Sequence, residues 1–182
     1  NEEMMARLLF CFENDPENEG HVSGAQDAIG ICMSGLNRHW YDGHYWPSRI
    51  ESCHDERVLS WLESHLCLVE MFPRRPGCSV VEGKDITPEK VADLTGAASR
   101  CWDAIMDMDL RRFAAAFRDS FDAQVAMFPA MMQPGVQDHI DRWRDKALAW
   151  KMLGAGGGGH LALVVDQIPE EGVIPIKIRR KY

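Results

Sequence analysis

An α+β fold with an antiparallel sheet is predicted by three features of this 182-residue sequence. Two long segments, one starting at Thr87 and one near Asp109, repeat apolar residues at helical spacing. Short β-prone runs occur separately, for example at residues 66–71 and 160–166. An Asp-Gly pair at Asp42 lies between aromatic residues, which is a strong hairpin signal. Helices combined with antiparallel strands define the α+β class.

The elements of the first half follow from local spacing and turn residues. Met5, Leu8 and Phe12 predict a helix over residues 2–12, which is expected to be uncapped; with Asn1 in place of an initiator, this suggests a piece of a longer protein. A short buried helix is predicted from about Gln26. A hairpin at 35–53, a helix at 55–64 and a strand at 66–71 that Pro73 ends complete this half.

The second half begins with two long helices. Thr87 is a predicted N-cap followed by proline, and the buried face comprises Val91, Leu94, Ala98, Cys101, Trp102 and Ile105. The next helix carries a stripe of Leu110, Phe113, Ala114, Phe117, Phe121, Val125 and Phe128. A third helix over about 134–147 and strands at 148–153, 160–166 and 173–179 follow.

Composition and charge exclude several classes. The chain is 46% hydrophobic and 26% charged, as in globular proteins, and its formal charge of −8 argues against a nucleic-acid binder. The basic residues at the C-terminus, which are Lys177, Arg179, Arg180 and Lys181, are expected to be solvated. The longest apolar run, residues 161–165, is too short to cross a membrane, and no signal peptide is visible. Six cysteines without a C-x-x-C pair predict reduced thiols and a cytoplasmic location.

The glycine-rich segment, residues 154–159, is the most specific feature of the sequence. A dinucleotide-binding loop would need a helix after it, and a Walker A loop would need Gly-Lys-Ser/Thr where His160 lies. We therefore predict a strand–loop–strand turn whose bare backbone approaches a ligand and whose amides form an anion-binding nest. A purely structural turn is the alternative. Lys151, just before this glycine loop, either reaches an anion or points outward from its strand.

A single carboxylate, Asp27, follows Ser23-Gly24 among apolar residues. An acid in such a neighbourhood needs a partner or a function. It either positions or deprotonates a substrate hydroxyl during group transfer, or stabilises a helix N-terminus through the helix dipole.

Together, the Gly-x-Gln-Asp segment at Gly24, the Gly-Leu-Asn at residues 35–37 and the glycine loop resemble the GHMP kinases. This family includes the galactokinases and the mevalonate kinases. Within it, the Gln26-Asp27 pair and the uninterrupted glycine loop are most similar to those of the heptose-phosphate kinases and L-fucokinases. The resemblance implies that residues 1–60 are the end of an N-terminal catalytic domain. Residues 61–182 would form a ferredoxin-like C-terminal domain, an antiparallel sheet with helices on one face. A homodimer is compatible with this assignment.

The resemblance also implies the function and the site residues. It implies an ATP- and Mg²⁺-dependent kinase that phosphorylates a hydroxyl of a sugar or sugar phosphate, with Asp27 as the catalytic residue and no metal ligand in this chain. The implied substrate- and phosphate-binding residues are Ser23, Gly24, Gln26, Arg74, Arg75, Gly154, Ala155, Gly156, Gly157, Gly158 and Gly159. Ala28 departs from a glutamine that is common in the family.

The family's phosphate loop, P-x-x-x-G-x-x-S-S-A, has no counterpart in these 182 residues. The resemblance therefore implies that a missing N-terminal domain holds ATP and Mg²⁺ and is a partner of this chain. Apolar residues that include Met5, Leu8, Phe12 and Ile29 are expected to be exposed where that domain docks. The alternative is a non-catalytic module that binds a metabolite or a protein partner.

Overall fold

The computed structural model describes residues 1–17, 22–73, 82–154 and 156–181. It contains two compact units. The first unit comprises Asn1–Leu59 together with Ile178–Tyr182, and the second unit comprises Ser60–Lys177.

The first unit consists of two helices and a two-stranded antiparallel sheet. Its elements are α1 (Glu2–Glu13), α2 (Ala25–Cys32), β1 (Leu36–Trp40) and β2 (Arg49–Cys53). The strands pair from Leu36 opposite Cys53 to Trp40 opposite Arg49, which confirms the predicted hairpin. Residues 41–48 connect the strands, so the turn is longer than the two residues typical of an Asp-Gly hairpin.

Small side chains let α1 and α2 pack closely. Ala6, Ala25 and Ile29 form the fully buried centre of this unit. Burial of Ile29 contradicts the expectation that it is exposed, because it lies on the side of α2 that faces α1. The expectation of an uncapped α1 is also wrong, since Asn1 Oδ1 accepts a hydrogen bond from the Glu3 amide at 3.1 Å.

Of the basic C-terminal residues expected to be solvated, Lys177, Arg179 and Lys181 are exposed, and Arg179 and Arg180 also make contacts within the first unit. Arg180 forms a bidentate ion pair with Glu56, with both N–O distances 2.7 Å. Arg179 donates to the carbonyl oxygen of Ile31 in the last turn of α2 at 2.8 Å. Because the last carbonyl groups of a helix lack partners within the helix, this arginine caps α2.

The second unit is built on a four-stranded antiparallel sheet. Its helices and strands are α3 (Glu56–His65, which begins in the first unit), β3 (Leu66–Glu70), α4 (Pro88–Met106), α5 (Leu110–Met127), a 3₁₀ helix (Pro129–Met131), α6 (Val136–Trp143), β4 (Ala149–Met152), β5 (His160–Val164) and β6 (Ile174–Pro175). The strand order is β4-β5-β3-β6, and every pair is antiparallel.

Side chains on both faces of β5 are buried. On one face, Leu161 and Leu163 pack in a cluster with Val136 and Ile140 of α6. On the other face, Lys151 of the neighbouring strand hydrogen-bonds to α5. Phe121 of α5 belongs to the same cluster as the α6 side chains, so both helices pack against the face of Leu161 and Leu163.

The long helices begin where their capping residues predict. Thr87 Oγ1 accepts from the Lys90 amide at 3.4 Å, and Asp109 accepts from the Arg112 amide at 3.0 Å. The buried face of α4 is rotated from the predicted one: Ala97 and Ala104 are fully buried, whereas Val91 is 45% exposed. Alanines on the buried face allow a close approach to α5, which a count of large apolar residues does not reveal.

The last predicted strand, residues 173–179, is paired only at Ile174 and Pro175. Proline has no amide hydrogen for the ladder, so pairing stops at this sheet edge. No helix in the described part of the chain combines the length and apolarity needed to span a membrane.

Candidate functional site

Asp27 lies in the first turn of α2 with its side chain exposed. Its apolar neighbours in sequence, Ala28 and Ile29, are buried on the opposite side of the helix. Helical periodicity thus explains how an acid can occupy an apolar stretch without desolvation. Among the described residues, none donates a hydrogen bond to the Asp27 carboxylate or forms an ion pair with it.

The turn before α2 is held by side chains from both of its ends. Gln26 folds back over Gly24, where an added Cβ would lie 2.6 Å from Gln26 Oε1. Asn14, at the end of α1, accepts from the Ser23 amide at 2.9 Å and donates to the Ser23 carbonyl oxygen at 3.3 Å. Asn14 therefore fixes the segment that leads into the helix of Asp27, a role that the sequence interpretation missed. Its position as the C-cap residue of a predicted helix was the available signal.

The Gly-x-Gln-Asp pattern occurs a second time, as residues 135–138 at the start of α6. In both places glycine is the N-cap without a side-chain capping bond, the helix has eight residues, and aspartate is its third residue. Asp138 is exposed, as Asp27 is. The pattern alone therefore encodes a helix start, because an acid near a helix N-terminus is favourable wherever it occurs.

The glycine loop connects β4 and β5. Every described glycine in it has a positive φ: Gly154 57°, Gly156 76°, Gly157 73°, Gly158 139° and Gly159 84°. Side-chain-bearing residues rarely adopt this region, so the repeated glycines meet a backbone requirement.

Three amides of the glycine loop are used within the second unit. Gly156 donates to the carbonyl oxygen of Leu153 at 3.3 Å, Gly157 to that of Met131 at 3.1 Å and Gly159 to that of Phe72 at 2.8 Å. The Gly158 amide has no acceptor among the described residues. The predicted nest of several free amides thus reduces, among the described residues of the loop, to the amides of Gly154 and Gly158.

The glycines differ in the space around them. A Cβ at Gly156 would lie 2.6 Å from Met131 Cε and 3.0 Å from Met131 Cβ, so Gly156 is required by packing. A Cβ at Gly154 or Gly159 would meet no atom within 4 Å. These two positions are where a ligand could approach the main chain. Arg74, Arg75 and Ala155, which are also predicted to bind substrate or phosphate, lie outside the described residues.

Lys151 takes neither of the two orientations weighed from the sequence. Its ammonium group donates to Gln124 Oε1 at 2.6 Å, to Ser120 Oγ at 3.0 Å and to the Ser120 carbonyl oxygen at 3.2 Å. The side chain therefore joins β4 to α5. Burial lowers the pKa of Lys151 from 10.5 to about 8, because the charged form loses hydration.

Lys151→Met is expected to change how stability depends on pH. A lysine with a lower pKa in the folded state than in the unfolded state binds fewer protons when folded, between about pH 8 and pH 10.5. Its destabilising contribution is complete below pH 8 and disappears as the pH approaches 10.5, so the free energy of unfolding rises over this interval. Urea unfolding from pH 7 to pH 10 should show this rise in the parent chain and in the exposed control Lys146→Met, but not in Lys151→Met. Parallel curves for all three proteins would contradict this account.

No group of three or more His, Cys, Asp or Glu side chains is arranged to hold a metal ion in the described ranges. The five described cysteines, which are Cys11, Cys32, Cys53, Cys67 and Cys101, are free thiols.

No protein-family model and no curated protein matches this sequence. Solved structures do match. A mevalonate kinase structure superimposes with a TM-score of 0.62 at 13% identity, over 91% of this chain and 50% of that chain. A D-glycero-D-manno-heptose 1-phosphate kinase from Bacteroides thetaiotaomicron gives 0.61 at 14% identity, over 99% and 53%. MDDEF in complex with MVAPP, AMPPCP and magnesium gives 0.55 at 13% identity, over 86% and 56%.

These similarities concern the fold, because identities of this size do not carry residue roles. The chain spans about half the length of the solved kinases that it matches. The resemblance inferred from the glycine loop and the Gly-x-Gln-Asp segment is confirmed at this level. Over about half of that fold's length, the chain has the fold of the GHMP kinases.

Proposed function

We propose that this chain is part of an ATP-dependent kinase that phosphorylates a hydroxyl group of a sugar or sugar phosphate. The observation that carries the proposal is the structural match to a heptose 1-phosphate kinase over 99% of this chain. Free thiols at the described cysteines support a cytoplasmic location.

The boundary between the two compact units after Leu59 supports a domain assignment for this kinase, and Ile178–Tyr182 group with the first unit. We assign residues 1–60 to the end of the N-terminal catalytic domain and residues 61–182 to the C-terminal domain, with a ferredoxin-like architecture. The four-stranded antiparallel sheet of the second unit supports the latter assignment.

Asp27 is the proposed catalytic residue. Its exposed carboxylate has no partner in the described chain, so it is available to hydrogen-bond a substrate hydroxyl. In the reaction, the hydroxyl oxygen forms a bond to the γ-phosphorus of ATP, the bond from that phosphorus to the ADP oxygen breaks, and Asp27 orients the hydroxyl or accepts its proton. Ser23, Gly24 and Gln26 form the turn that sets the position of this helix start.

The glycine loop has a different proposed role. Open space at Gly154 and Gly159 would let a ligand approach the main chain, and the Gly158 amide would donate to an anionic group. Arg74 and Arg75 remain proposed contacts to phosphate or sugar.

The described residues contain no group of three or more His, Cys, Asp or Glu side chains arranged for a metal ion. The sequence also lacks the phosphate loop of this family. AMPPCP, an ATP analogue, and magnesium are bound in one structure of similar fold. We therefore assign most of the ATP and Mg²⁺ binding to residues outside these 182.

The second candidate is a non-catalytic module that binds a metabolite or a protein partner. Three amides of the glycine loop favour this candidate, because they donate to carbonyl oxygens of the same unit and are not available to bind a phosphate group. The two functions differ in whether the protein in its native form transfers phosphate.

Residues 1–182 alone are expected to show neither ATP hydrolysis nor sugar phosphorylation, because they lack a phosphate loop. A coupled assay for ADP release checks this, with Asp27→Asn prepared in parallel as the control for contaminating kinases. Turnover by the parent chain that exceeds that of Asp27→Asn would contradict the assignment of ATP binding to other residues.

A further inference from the structure

Helix α1 exposes a continuous apolar surface. This surface, which we call the α1 stripe, consists of Met4, Met5, Leu8, Cys11 and Phe12. Met4, Met5 and Leu8 are about equally exposed, at 61%, 58% and 60%, Phe12 is 74% exposed, and Cys11 is also exposed. Residues at this spacing lie on one side of a helix over three turns. The nearby ion pair between Glu3 and Arg7 lies beside the stripe, so the stripe itself carries no charge.

The opposite side of α1 is apolar as well and is already packed. Ala6 is fully buried against Ala25 and Ile29, and the Phe10 ring lies 5.7 Å from the Trp46 ring. A helix that is apolar on both sides is typical of a position inside a protein core, not on a surface.

We propose that the α1 stripe is the docking surface for the half of the kinase fold that has no counterpart in these 182 residues. This inference rests on the proposed function for the identity of the occupant. From 91% to 99% of this chain matches the mevalonate and heptose 1-phosphate kinases, but it accounts for only 50% to 53% of their length. The remaining half of that fold is therefore polypeptide that residues 1–182 do not supply, and the stripe is an apolar surface that needs such a cover.

A second copy of this chain fits the stripe less well. Each copy carries a formal charge of −8, and the uncharged stripe offers no opposite charge to offset the repulsion between two copies.

Cys11 provides a direct test because its exposed thiol lies within the stripe. The rate of Cys11 alkylation by N-ethylmaleimide is measured by peptide mapping in two samples: chain 1–182, and the protein purified in its native form from the cells that make it. We expect alkylation of Cys11 to be at least about tenfold slower in the native protein, with Met4 and Met5 protected from peroxide oxidation in parallel. Cys53 of β2, outside the stripe, is the control and should react at similar rates in both samples.

Two variants of the native protein separate docking from folding. Leu8→Asp places a charge in the stripe at an exposed position and should restore Cys11 reactivity to that of chain 1–182, whereas the conservative Leu8→Met should keep it protected. Circular dichroism of chain 1–182 carrying Leu8→Asp should show unchanged helix content.

Equal Cys11 reactivity in the two samples would overturn the inference. So would protection that appears in chain 1–182 alone and increases with its concentration, because the occupant would then be a second copy. Phosphoryl transfer by a native protein with reactive Cys11 would refute the docking surface and leave the proposed function standing. Protected Cys11 in a protein that transfers no phosphate would support the docking surface and refute the proposed function.

Discussion

Under the proposed function, Asp27→Asn in the native protein is expected to lower kcat by about 10²–10⁴-fold, the range typical of a general base or a positioning carboxylate. The amide keeps the size of the side chain but cannot accept a proton from the substrate hydroxyl. Asp27 is exposed and has no partner among the described residues, so the fold should tolerate the change. ATP affinity should change by less than about threefold, because the proposed ATP-binding residues lie elsewhere. Steady-state kinetics with both substrates measures the two quantities separately.

Asp138→Asn is a closely matched control. Asp138 is the third residue of an eight-residue helix that starts with the same Gly-x-Gln-Asp pattern, and it too is exposed. Both variants should lose a similar amount of stability, about 0.3–1 kcal/mol, from the helix N-terminus. Only Asp27→Asn should lower kcat. A kcat within about threefold of the parent value would make Asp27 a helix-terminal structural acid.

Gly159→Ala is expected to abolish ligand binding at the glycine loop while the protein still folds. Gly159 has φ 84°, and an added Cβ would enter space that is free of other atoms within 4 Å. The left-handed conformation costs alanine about 1–2 kcal/mol of stability. If a ligand occupies that free space, the methyl group excludes it as well. Calorimetric titration of the native protein with a sugar phosphate and with ATP measures binding, and thermal melts measure stability.

Gly172→Ala separates strain from exclusion of the ligand. Gly172 has φ 77° and equally open surroundings, but it lies in a different turn. Both variants should lower the melting temperature to a similar degree, and only Gly159→Ala should weaken binding. Unchanged affinity in a destabilised Gly159→Ala protein would leave the glycine loop as architecture alone.

The helices and the hairpin could be predicted from the sequence because their signals are local. Thr87 caps the helix that it was expected to cap, the next helix begins near Asp109 as predicted, and the two strands pair on either side of the segment that contains Asp42. The buried face of α4 could not be predicted, because packing on α5 selects alanines over larger apolar residues. The length of the strand predicted over residues 173–179 was wrong for a related reason, since strand pairing depends on partners that are distant in sequence.

The site was predictable in position but not in environment. Gly-x-Gln-Asp and the glycine loop were found from spacing and composition, yet the sequence did not show that Asp27 faces solvent. It also did not show that three loop amides bind carbonyl oxygens of Leu153, Met131 and Phe72. Lys151 illustrates the same limit, because its partners on α5 are about 30 positions away in sequence.

Transfer of ³²P from [γ-³²P]ATP to a panel of heptose phosphates, fucose, galactose and mevalonate is the most direct test of a sugar kinase. The protein is assayed in its native form with Mg²⁺, beside the Asp27→Asn and Asp138→Asn variants. The account predicts a labelled sugar or sugar phosphate with the parent protein and with Asp138→Asn, and a loss of about 10²–10⁴-fold with Asp27→Asn. An unlabelled panel, or equal labelling by Asp27→Asn, would contradict it.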